Sequence, residues 1–166
     1  MKREVLRIVL SIGLMCLGCS GNSAYQGTTV RENDEVRIDL IDADGAQLPI
    51  EAFRGHPLLV FVFTTFDGYS QIALHHVETF HKTHSEITIL AIAVQPEPGR
   101  ILRAFKASLQ ADFSIAYDPS NSLLQGKSDF GVLNVIPAYF LLDKQGKISK
   151  SYQGPMTDDQ LVQWLD

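Results

Sequence analysis

The chain has 166 residues, 45% apolar and 20% charged, with 19 carboxylates against 14 Lys and Arg and a formal charge of −5. This composition excludes a disordered chain, a collagen and a polytopic membrane protein, and the length suits one domain that buries about two-thirds of its unfolded surface. No basic cluster occurs beyond residue 7, which points away from nucleic acid as a partner.

Lys2, Arg3 and Arg7 precede an uncharged apolar run of 11 residues, Ile8 to Gly18, about seven short of a membrane-spanning helix. That is the layout of a secretory signal peptide. The run closes on Cys16-Leu17-Gly18-Cys19-Ser20, which resembles the lipobox of bacterial lipoproteins, where a small residue precedes a Cys that is lipidated and becomes the new N-terminus. Gly18 suits the position before the cleaved bond and Met15 does not, so Cys19 is the expected lipidation site. Loss of residues 1–18 removes three basic residues and one acidic one, leaving 148 residues with a charge of −7. The Cys16-x-x-Cys19 spacing matches a redox pair but lies inside the signal, away from any strand-to-helix turn, and is read as coincidence. With Cys19 acylated, a chain sent to an oxidising compartment has neither a free thiol nor a disulfide. Residues 19–34, rich in Gly, Ser, Thr, Asn and charge, read as a flexible tether, and 35–166 as the folded domain.

Within the domain, Val36, Ile38 and Leu40 alternate with Arg37, Asp39 and Ile41 up to Asp44-Gly45, a turn dipeptide, and predict a hairpin closed by Gln47-Leu48-Pro49. Leu58 to Phe63 is a continuous apolar run, as expected of a central strand buried on both faces. Ser70 to His84 lacks Gly and Pro and places Ala73, Val77, Phe80 and His84 in one helical sector. Ile87 to Val94 predicts a second buried strand, parallel to the first by the crossover rule. Gly99 to Gln110, started by Pro98, predicts a helix, with Ile101, Leu102, Phe105 and Leu109 at helical spacing. Phe113 to Ala116 predicts a third strand, and Asp118-Pro119-Ser120 the start of a short helix. Ala138 to Leu142 and Lys147 to Tyr152 predict strands joined by an Asp143–Gly146 turn, and Thr157 an N-cap for a last helix bearing Leu161, Val162 and Leu165.

This α/β order, with Phe130-Gly131-Val132 leading to Pro137-Ala138-Tyr139-Phe140-Leu141-Leu142-Asp143 and then Gly154, resembles the thioredoxin fold. It resembles in particular the TlpA-like redoxins, envelope thiol-disulfide oxidoreductases of the AhpC-TSA type, from about Val36 to Leu165. The resemblance implies a central mixed sheet flanked by helices with an N-terminal hairpin. It implies that the Ile136-Pro137 bond is cis, beside the active loop, with main chain open to an extended peptide. Where that family places Trp-Cys-x-x-Cys, this chain has Phe66-Asp67-Gly68-Tyr69-Ser70. Thiol exchange needs a low-pKa thiolate and a resolving thiol, and Asp67 and Ser70 supply neither. At a helix start both side chains suit capping instead. Ser70 as a hydrolytic nucleophile needs a base, for which His75 and His76 are near in sequence, but proximity in sequence gives no triad geometry.

His56, His75, His76, His81 and His84 raise the question of a metal, because Sco-type copper chaperones resemble this fold and pair two Cys with a His. The cysteines are missing here, and His76, His81 and His84 form at best a weak surface site on one helix, with a polar helix face as the plain alternative. No cofactor is expected. The expectation is a redox-inactive, lipid-anchored module of the cell envelope, facing the periplasm or extracytoplasmic space. It binds an envelope protein or extended peptide through Phe66, Gly68, Tyr69, Ile136, Pro137, Ala138 and Tyr139, with Phe66, Tyr69 and Tyr139 as exposed aromatic contacts. The alternatives are a thiol-disulfide oxidoreductase-family role in envelope protein or cytochrome c maturation, with cysteines supplied by the partner, and a His-based copper carrier.

Overall fold

The computed structural model describes residues 34–109 and 112–166. The expected signal peptide, the lipidation site Cys19 and nearly all of the tether lie outside the described residues. Seven strands form one mixed sheet: β1 (Asp39–Asp42), β2 (Gln47–Pro49), β3 (Leu58–Phe63), β4 (Thr88–Ala93), β5 (Ser114–Tyr117), β6 (Ala138–Leu142) and β7 (Ile148–Gln153), in the order β2-β1-β5-β4-β3-β6-β7. Helices α1 (Gly68–Thr83), α2 (Gly99–Ser108) and α3 (Asp158–Leu165) complete the fold.

Continuous apolar runs became the interior strands. β3 is buried along its whole length, parallel to β4 and antiparallel to β6. The crossovers β3-α1-β4 and β4-α2-β5 step in the same direction, so right-handedness puts α1 and α2 on one face, where α3 joins them. Phe61, Phe63, Val77, Phe80, Leu102, Tyr139 and Leu161 fill that face. The other face is covered without α-helices: Val36, Ile38, Ile50, Leu123 and Phe130 from the N-terminal hairpin and the long β5–β6 connection pack on Val60, Val62, Ile92 and Phe140.

The hairpin forms as expected, Gly45 taking the left-handed turn position at φ 93° that a Cβ would strain. Thr157 caps α3 in a capping box with Gln160. One expectation needs correction. No helix follows Asp118: residues 119–126 are turns, because Asn121 sits at φ 55° and the Asp118 carboxylate binds Ser120, Ser122 and the Leu123 N–H itself. In α2, Leu102 is fully buried and Phe105 packs on Phe63, while Ile101 is exposed.

Candidate binding site

β3 ends at Phe63, the loop Thr64 to Asp67 leads into the start of α1, and the local chemistry there is a cap. Asp67 Oδ1 accepts from the Ser70 N–H at 2.8 Å, while Oδ2 accepts a close hydrogen bond from the Thr64 hydroxyl. Ser70 Oγ accepts from the Thr64 N–H at 3.1 Å, and Ser70 is fully buried. Buried Gln95 accepts from the Thr65 N–H at 2.7 Å, and Gln71 donates to the Thr65 carbonyl at 2.8 Å. Burial pushes the Asp67 carboxyl up, but the hydrogen bonds from Ser70 and Thr64 outweigh it and hold the group below its usual range. Among the described residues no histidine bonds Ser70, so it lacks the base a nucleophile needs.

The second wall is the segment before β6. The Ile136–Pro137 bond is cis, as the resemblance implied. The Pro137 carbonyl accepts from the Gly154 N–H, and Ala138 is locked in the ladder opposite Val62 and Gln153. That leaves Ile136, whose main-chain N–H and C=O make no hydrogen bond among the described residues. Gln153 fastens the approach to it: its Oε1 accepts from the Asn134 and Val135 N–H groups at 2.8 and 3.1 Å, and its Nε2 donates to the Val132 carbonyl at 3.1 Å.

Phe66 is 72% exposed and Tyr69 66%, as an aromatic contact surface requires, but Tyr139 is 0% exposed and offers no contact. Its ring packs on Phe61 under the helices, and burial raises the pKa of its enclosed hydroxyl. Ile72, 60% exposed, takes its place, extending Phe66 and Tyr69 at three-residue spacing along α1; Val132 and Val135 add apolar surface from the second wall. Sequence reasoning missed Ile72, although that spacing was its signal. It also missed Gln153 and Gln95, for which no local signal exists.

The histidines are not gathered. His76 Nδ1 lies 3.1 Å from Asp158 on α3, His81 Nε2 2.9 Å from Asp112, and His84 stacks on Phe80 at the C-terminal end of α1. No set of three or more His, Cys, Asp or Glu side chains among the described residues is placed for a metal. Nor is any helix among the described residues long and apolar enough to cross a membrane.

Residues 20–164 match the family described as Redoxin. The thiol-disulfide oxidoreductase ResA of Bacillus thuringiensis is 22% identical over 172 aligned positions, covering 99% of this chain and 97% of that one. Among solved structures, StoA of Bacillus subtilis superposes with a TM-score of 0.63 at 21% identity, over 80% of this chain and 98% of that one. The exposed lipoprotein thioredoxin of Streptococcus pneumoniae does so at 0.62 and 18%, over 76% and 96%. These likenesses show the thioredoxin-like fold.

Proposed function

The chain belongs to the redoxin family, and on that premise we propose that it is a redox-inactive, lipid-anchored binding module of the bacterial cell envelope, seating an extended segment of a partner protein across Phe66–Ile72 and the Ile136 main chain. One observation carries this reading. At the two loop positions where thiol chemistry needs thiols stand Asp67 and Ser70, knitted into the cap of α1, while the apolar surface and open main chain around them persist. No cysteine occurs after Cys19, so nothing in 20–166 can form a mixed disulfide. A free N–H and C=O on one residue suit β-type pairing with an extended chain, and exposed aromatics suit the centre of an interface.

The site also faces away from the chain's N-terminal side. Asp34 and Glu35 join the domain beside Lys147 and Arg54, at the end of β3 opposite the one that carries Asp67. An anchor upstream of Asp34 therefore attaches at the pole of the domain opposite the binding face.

The test is a photo-crosslinking residue at Tyr69 in the lipidated chain, with a control at exposed Lys144 on the opposite pole. The expected result is one protein captured from Tyr69 and not from Lys144, whose purified form binds at least tenfold more weakly to Phe66→Ala/Ile72→Ala. Equal capture from both positions, or unchanged affinity of the double variant, defeats the reading. Kinship with oxidoreductases supports a second reading, thiol exchange with partner-supplied cysteines. With the captured partner and a dithiol reductant present, it predicts insulin reduction faster than by the partner alone, whereas the binding module predicts no increase.

A further inference from the structure

The stretches of chain that form the two sides of the site are nearly free of charge, and the exception has a definite place. Residues 62–77 hold one charged residue, Asp67, and residues 130–142 and 151–157 hold none, in a chain that is 20% charged overall. These three stretches meet at the site: Val62 pairs with Ala138 where β3 lies beside β6, the Gly154 N–H bonds the Pro137 carbonyl, and Gln153 bonds Val132, Asn134 and Val135. Asp67 is half-buried and makes no ion pair among the described residues. Its partners, Ser70 and Thr64, leave part of the roughly four lone-pair sites of a carboxylate unused. The helix N-terminus offsets about half a charge, not a whole one.

A segment laid over this surface takes the carboxylate out of water, which is costly unless a counter-charge arrives with it. A second carboxylate there adds repulsion to desolvation. The acidic domain reinforces the preference at longer range. We infer that the segment recognised by this face is an extended stretch of uncharged, largely apolar residues interrupted by one basic side chain that sits against Asp67. This rests on the peptide-binding reading above and adds to it a selection rule: basic over neutral over acidic. The low pKa of Asp67 is consistent with the rule, since the carboxylate is then ionised throughout the neutral range, where a Lys is also charged.

The experiment titrates the full chain against three fluorescein-labelled peptides of Val, Ile and Thr, mostly apolar, that differ only in a central Lys, Gln or Glu, read by anisotropy. The Lys peptide is expected to bind roughly fivefold tighter than the Gln peptide, with the Glu peptide weaker again. The ordering should collapse in Asp67→Asn and in about 1 M salt, where the Debye length falls to about 3 Å. Because Asp67→Asn also alters a cap, Asp67→Ser, a neutral residue that caps well, repeats the measurement. Equal affinity of the three peptides, or an ordering that survives both substitutions, overturns the selection rule and leaves the platform standing. Absence of binding by all three at roughly millimolar concentration overturns the platform itself.

Discussion

The two walls of the site are built on opposite plans. The Thr64–Ser70 wall is held from within, by a carboxylate, two hydroxyls and their own backbone over seven residues, with Gln95 and Gln71 bracing Thr65. The Val132–Pro137 wall is tied from outside itself, by the Gln153 carboxamide at the end of β7 to Val132, Asn134 and Val135. A capped helix start is stable because its donors are satisfied locally, whereas a segment with an unpaired residue needs a distant side chain to fix its course. The first wall is thus braced by its own residues and carries the charge; the second is braced from β7 and carries the unpaired Ile136 main chain.

The strongest way to break the comparison is to remove what lies beneath both walls. Tyr139 is fully buried against Phe61, so Tyr139→Ala should cost about 4 kcal/mol in denaturant unfolding, and loosen both walls together. Tyr139→Phe, which removes only an enclosed hydroxyl, should change stability by about 1 kcal/mol or less. Next comes the self-contained wall. Asp67→Ala should cost about 1–2 kcal/mol by loss of the cap. Since the folded pKa of Asp67 is lowered, its contribution is complete above the unfolded carboxylate range and is lost as pH falls through the folded value. Unfolding free energies of wild type and Asp67→Asn should therefore converge toward the acid end, and parallel curves would refute the assignment.

A smaller and more local effect is expected at the hinge of the second wall. Gln153→Ala should cost about 1 kcal/mol, yet speed amide exchange at Asn134 and Val135 at least tenfold while leaving Thr64 and Ser70 unchanged. Gln153→Glu keeps the acceptor and loses the donor to Val132, so those two amides should stay nearer wild type. If exchange rises equally in both walls, they are one unit and the comparison fails. The smallest effect is at the surface: Phe66→Ala and Tyr69→Ala should each move stability by about 0.5 kcal/mol or less, since neither side chain is buried. A loss of binding in those variants then reports contact with a partner rather than unfolding.

The elements and their order were legible in the residues because each signal is local. Period-2 and unbroken apolar runs placed the strands, helical spacing placed the helices, and Thr157 and Asp67 announced caps within three or four residues of what they bond. The two cysteines both lie before residue 20, so the sequence itself leaves the domain without thiols. The Asp118 loop was misread because its carboxylate satisfies the turn's own donors, and a start signal for a helix and an Asx turn share the same residues.

What the tertiary structure alone decided is which side chains meet across long stretches of chain. Alternation says that Tyr139 opposes its neighbours on β6, but whether its side is solvent or core depends on α1 and α3 closing over it. Gln153 finds Asn134 and Val135 across 19 and 18 positions, Gln95 finds Thr65 across 30, and His76 finds Asp158 across 82. The sequence carried the local periods and the chemistry of each residue; the distance between partners along the chain is what kept those meetings out of it, since they follow from strand order and register, which no window of neighbouring residues contains.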